Sequence, residues 1–179
     1  MHPDIVQLLR FQAYKGYSYG FVWGVSLAFV PHEFDRRLRF HRTMKSADLD
    51  LFEAASDEFV RRGETERRGF LAAGYGADVL RRDASEAWEL VTPRVSAWWE
   101  STTTVEGVLH RATEQVAQRP KGPRHWPPPE LVRTCALARL GRSDEARDSL
   151  AEWLERRGEK VGPQAAANLA RALEKVAVV

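Results

Sequence analysis

Residues 129 to 158 read PELVRTCALARLGRSDEARDSLAEWLERRG, and their punctuation spells two helices joined by a tight turn. Pro129 suits the first helical position, where its missing N–H costs nothing, and Gly141 suits the stop, where the backbone must turn left-handed. Ser143 predicts a cap for the next helix, and Asp144 and Glu145 fit the positive end of its dipole. Ala146, Leu150, Trp153 and Leu154 recur at helical spacing as a buried stripe. Arg156, Arg157 and Gly158 then close the second helix. Cys135 lies on the apolar pattern of the first helix, where a small buried residue fits; it is the single cysteine, so no intrachain disulfide is available.

A third helix is predicted after Pro163, with Ala166, Leu169, Ala170, Leu173 and Val176 on one side. Upstream, residues 119–128 are rich in proline and carry almost no apolar periodicity, so they read as a proline-stiffened linker. A proline-rich recognition ligand around Trp126 to Pro129 is the alternative use of the same residues. The chain thus divides into residues 1–118, a linker at 119–128, and a helical tail at 129–179 packed on the first part.

The string Ala138-Arg139-Leu140-Gly141-Arg142, followed by Glu145-Ala146, resembles the tetratricopeptide unit. In that family leucine–glycine near the turn and a small alanine shortly afterwards let two antiparallel helices pack closely. The resemblance covers one unit, about a sixth of the chain. The third helix lacks the same pair, and a solenoid needs about three repeats to bury a continuous core. The resemblance therefore implies a packed appendage rather than a peptide-binding superhelix. As a whole the chain is also similar to bacterial proteins that join a short sheet to tryptophan-bearing helices and a repeat-like tail, a likeness that implies no activity.

The N-terminal part has a different period. From Phe21 to Phe29 the chain alternates, with Phe21, Trp23, Val25, Leu27 and Phe29 on one face and Val22, Gly24, Ser26 and Ala28 on the other, which predicts a strand. The large face is expected on the core, and the small one leaves room for close approach at Gly24. Residues 6–14 (VQLLRFQAY) and the turn at 15–18 complete an antiparallel hairpin. Pro31 is expected to end the second strand, and Leu38 to Thr43 to form a third. From Ala47 the spacing of Leu49, Phe52, Ala55 and Phe59 predicts a helix with Asp48, Asp50 and Glu53 in its first turns. Residues 64–82 are undecided, because Gly69, Gly74 and Gly76 oppose a helical pattern. Helices follow over Ser85 to Glu100, kinked or divided at Pro93, and over Val105 to Val116. The fold class is α+β: an N-terminal antiparallel hairpin or small sheet packed with helices, then the helical hairpin and one more helix.

The 179 residues carry 27 basic and 25 acidic side chains, a near balance that argues against a generic polyanion coat. Arginine outnumbers lysine 22 to 5, a bias that a GC-rich genome produces without selection for phosphate binding. The start, Met1-His2-Pro3-Asp4, lacks the basic and apolar regions of a signal peptide, and no stretch approaches the roughly 18 apolar residues of a membrane span. A cytoplasmic protein without membrane contact is expected.

Candidate chemistry gathers after the alternating strand, where Arg36, Arg37, Arg39, His41, Arg42 and Lys45 form a basic cluster. In an extended chain Arg37, Arg39 and His41 share one face, which could hold phosphate or an acidic partner. The acids that follow, from Asp48 to Glu58, are placed to neutralise it. His41 is the one candidate general acid or base, with Arg42 and Lys45 beside it to stabilise negative charge. No metal-ligand spacing, phosphate loop, dinucleotide fingerprint or nucleophile elbow occurs, so neither a metal nor a cofactor is expected. Trp98 and Trp99 are adjacent, and one helical stripe cannot bury both, so one of them is a candidate partner anchor. The expected function is that of a protein-interaction or accessory protein, antitoxin-like, immunity-like or a complex subunit, whose partner is another protein. Nucleic-acid binding or processing through Arg36 to Lys45 is the alternative.

Overall fold

The computed structural model describes residues 2–14, 18–40, 43–54, 77–118, 127–157 and 160–177. Its strands are β1 (Ile5–Tyr14), β2 (Ser18–Leu27), β3 (Pro31–Glu33), β4 (Arg39–Phe40) and β5 (Leu51–Ala54). Its helices are α1 (Ala77–Ser101), α2 (Val105–Gln118), α3 (Pro129–Arg139), α4 (Ser143–Arg157) and α5 (Pro163–Ala177). An antiparallel sheet is ordered β1-β2-β5, and β3 pairs with β4 as a separate antiparallel ribbon. The class is α+β, as the two periodicities predict.

Three local expectations are corrected. The helix expected from Ala47 is instead an irregular stretch leading into β5, because partners on β2 outweigh the local period. Asp50 donates its N–H to the Val25 carbonyl at 2.9 Å, and Leu49 and Leu51 are both buried. The rest of that expected helix lies outside the described residues. Second, β2 buries side chains of both faces, Val22 and Ser26 as well as Trp23, Val25 and Leu27. Third, Pro31 opens β3 rather than ending β2; of the strand expected over 38–43, Arg39–Phe40 is extended, and His41 and Arg42 lie outside the described residues.

The fold separates into two compact units. One holds Gln7–Gly24 and Phe52–Glu100. In it α1 is not divided at Pro93, which lies inside the helix. Pro93 and Glu89, whose carbonyl loses its donor, are both exposed, so water can take the freed oxygen. Val91, Val95 and Trp98 are buried. Phe21 packs on Trp88 with ring centroids 5.3 Å apart.

The other unit holds Met1–Val6, Val25–Leu51 and Ser101–Val179. The boundary expected at 119–128 falls within this unit's span, and residues 119–126 of it lie outside the described residues. α3 is its central helix: it packs against α2, α4 and α5, and Leu131, Val132, Thr134, Cys135, Ala136, Leu137 and Ala138 are all buried. A helix apolar nearly all round must be enclosed by others. The turn after it has the hydrogen bonds of a Schellman motif. Gly141 sits at φ 74°, its N–H donates to the Ala138 carbonyl at 3.0 Å, and that of Arg142 to the Leu137 carbonyl at 3.0 Å. Ser143 is the first residue of α4, so the cap position predicted for it belongs to Arg142, whose carbonyl receives the Ala146 N–H. Ala146, Leu150 and Trp153 are buried as the stripe predicts, with Leu154 half-buried.

α5 buries Leu169, Leu173 and Val176 of the expected face, but that face is rotated, so that Ala166 is only half-buried. Ala165, Asn168, Leu169, Ala172, Leu173 and Val176 are buried, while Ala170 is exposed. The polar member of this face is satisfied, since the Asn168 amide donates to the Phe34 carbonyl. At the start of α2, Thr104 accepts the Gly107 N–H through its hydroxyl at 3.1 Å, a standard cap. A Cβ on Gly107 would lie 2.0 Å from the Ser101 carbonyl oxygen, so the turn closes this tightly because residue 107 has no side chain.

Candidate functional site

The described members of the basic cluster, Arg36, Arg37, Arg39 and Lys45, sit on the β3–β4 ribbon and the short 3-10 turn Met44–Ser46. Antiparallel pairing brings Pro31 opposite Phe40 and Glu33 opposite Arg39. As a result Glu33 accepts from the Arg37 Nε at 2.9 Å and approaches the Arg39 Nε at 3.6 Å. Arg36 and Lys45 are exposed and have no ionic partner among the described residues. Half of the four described cations are thus already held by one carboxylate of the ribbon itself, and both pairs are exposed, where they contribute little to stability. His41 and Arg42 lie outside the described residues.

Of the acids expected to neutralise this cluster, Asp57 and Glu58 lie outside the described residues, and the other three make the following contacts. The Asp48 carboxylate accepts the Leu49 N–H at 2.7 Å. Glu53 pairs with Arg94, whose guanidinium lies 5.5 Å from the centre of the Trp23 ring. Asp50 is 1 % exposed; its carboxylate accepts the Leu27 N–H at 2.6 Å and the Ser26 hydroxyl at 3.4 Å. Burial raises its pKa from the ordinary carboxylate range to about 8, against the lowering effect of those two hydrogen bonds. Burial likewise holds the Cys135 thiol protonated well above its usual range, as a packing role requires.

The tryptophan pair divides as its spacing requires. Trp98 is 2 % exposed, whereas Trp99 is half-buried and donates its Nε1 hydrogen to the Gly24 carbonyl at 3.3 Å. The close approach anticipated at Gly24 is made by this indole. The Trp99 carbonyl in turn accepts from the Gln7 side chain at 3.1 Å. Trp99 is therefore engaged within its own unit.

A surface that the sequence did not single out lies on the helical hairpin. An open groove of about 360 Å³ is lined by Leu109 and Thr113 of α2, Arg133 and Leu137 of α3, Arg142 of the turn, and Glu145, Asp148, Ser149 and Glu152 of α4. Leu109, Thr113 and Leu137 supply apolar surface; α4 supplies the charged wall. The Arg142 guanidinium holds Glu145 by two hydrogen bonds of 2.6 and 2.5 Å, which keeps the Glu145 carboxyl below its usual pKa. Arg133 donates to the Ser149 hydroxyl at 3.0 Å and lies 3.7 Å from Glu152. Ser149 also shares a 2.7 Å hydrogen bond with Thr134, whose hydroxyl donates to the Glu130 carbonyl, so α3 and α4 are fixed across the floor. Asp148 is exposed and has no partner among the described residues.

The α3–α4 hairpin, flanked by α2 and α5, thus carries an open groove with both apolar and charged lining. No group of three or more potential metal ligands occurs among the described residues, and no helix among them is long and apolar enough to cross a membrane. No protein-family model, no curated protein and no solved structure matches the chain.

Proposed function

We propose that this chain is a bacterial, cytoplasmic protein-interaction or accessory protein, antitoxin-like, immunity-like or a complex subunit, that works without a cofactor. It docks another protein in the α2–α3–α4 groove, with α3 and α4 acting as a single tetratricopeptide-like hairpin. The observation that carries this reading is the groove itself: open, of ligand-site volume, apolar on one wall and charged on the other. The glycine turn and the buried Ala146, which let the two helices approach, support the tetratricopeptide-like description.

A second reading, nucleic-acid binding or processing through the β3–β4 ribbon, rests on Arg36 and Lys45, exposed and without an ionic partner among the described residues. Such contacts would be made to phosphate and would weaken steeply with salt.

One co-purification experiment separates the two. Thr113 is exposed on the groove, so Thr113→Trp fills it without touching the core. Tagged wild type is expected to hold a stoichiometric protein partner that Thr113→Trp releases and that the Arg36→Ala, Lys45→Ala double variant retains. If nucleic acid is recovered instead, and only the double variant loses it, the second reading replaces the first.

A further inference from the structure

The groove is asymmetric in charge as well as in polarity. Three carboxylates, Glu145, Asp148 and Glu152, line it against two guanidiniums, Arg133 and Arg142. Both guanidiniums are engaged, Arg142 with Glu145 and Arg133 with Ser149 and Glu152. Among the described residues Asp148 has no partner, and neither has Glu155, which continues the same face of α4 two turns beyond. The groove thus offers an exposed carboxylate without a partner among the described residues, while the Arg133 Nε, left without an acceptor there, is buried. Opposite it, Leu109, Leu137 and the methyl of Thr113 form a wall that a small hydrated cation would leave uncovered.

From this complementarity, and resting on the protein-interaction reading, we infer that the groove takes a basic segment of a protein partner, in which an apolar side chain lies on the Leu109–Leu137 wall and a neighbouring lysine or arginine pairs with Asp148. Glu155 extends the favourable field for further basic residues along the segment. An acidic segment or a phosphate meets three carboxylates and two guanidiniums that already contact Glu145, Ser149 and Glu152. Charge on the ridge therefore selects the partner, and the apolar wall anchors it.

The test uses the full chain and two fluorescein-labelled peptides of equal length, one alternating leucine with lysine and the other leucine with glutamate, read by fluorescence anisotropy. The lysine peptide is expected to bind at least ~10-fold more tightly than the glutamate peptide, and its affinity to fall with added salt. Asp148→Lys, a change at an exposed position, is expected to cost it about tenfold and to narrow the preference between the peptides. Equal affinity for the two peptides, no binding of the lysine peptide, full competition by stoichiometric spermidine, or indifference to Asp148→Lys overturns the inference. The broader reading is scored separately with Thr113→Trp: if that variant loses both peptides while their charge makes no difference, the groove docks proteins but does not choose basic ones. If Thr113→Trp loses neither, the groove is not the docking surface and both fall.

Discussion

Trp153→Ala is expected to lower the free energy of unfolding by about 3–5 kcal/mol, as large-to-small changes of buried aromatic residues do. Trp153 is 3 % exposed on the inner stripe of α4, and the Arg157 guanidinium lies 5.5 Å from the centre of its ring. Its Nε1 is buried without an acceptor among the described residues, so truncation sacrifices no hydrogen bond there. The loss comes from apolar surface, dispersion contacts and the cavity left between α4 and its neighbours. Trp153→Phe fills much of that cavity and removes the unsatisfied N–H, so it should cost clearly less. Urea unfolding at constant pH measures both. A loss below about 1 kcal/mol for the alanine variant would mean that α4 does not pack on the central helix as described.

The second large effect is a dependence of stability on pH traceable to Asp50. Its pKa rises from the ordinary 3.8 to about 8 on folding, chiefly because burial penalises the carboxylate. Between those values the folded chain retains a proton that the unfolded chain releases, so stability falls as pH rises from about 4 to about 8 and levels off above. The contribution is fully present below the unfolded pKa and lost at the folded one. Asp50→Asn keeps an oxygen to accept the Leu27 N–H and the Ser26 hydroxyl but does not titrate. The variant is expected to match wild type near pH 4 and to exceed it by several kcal/mol near pH 8, read from urea midpoints across that range. Parallel pH profiles for the two proteins would show that Asp50 titrates normally.

The hairpin was legible because its signals are local. Pro129 and Gly141 act on their own backbones, and the left-handed conformation and reverse hydrogen bonds at Gly141 follow from what glycine permits. β5 was not legible, since Leu49 and Phe52 carry a helical interval while the hydrogen bonds that decide the conformation come from Val25 and Leu27, more than 20 residues away. Leu169, Leu173 and Val176 of α5 were legible, but the rotation of that face was not, because apolar periodicity passes over an asparagine and Asn168 is buried to meet the Phe34 carbonyl. Glu33 escaped notice as a partner of the basic cluster because it faces Arg39 across a ribbon that the expected 38–43 strand did not foresee. The groove had no signal at all. Leu109, Leu137 and Asp148 belong to three helices and form no motif; packing around α3 brings them together, and the free carboxylate stands out only when its neighbours' ion pairs are known.

Site-specific photo-crosslinking in producing cells tests the central claim most directly, with the photoreactive residue at Glu152 on the groove rim or at Arg36 on the β3–β4 ribbon, both exposed. A discrete protein adduct is expected from position 152, abolished by Thr113→Trp, with none from position 36. An adduct formed from position 36 alone, to protein or to nucleic acid, would contradict the assignment of the groove as the working surface.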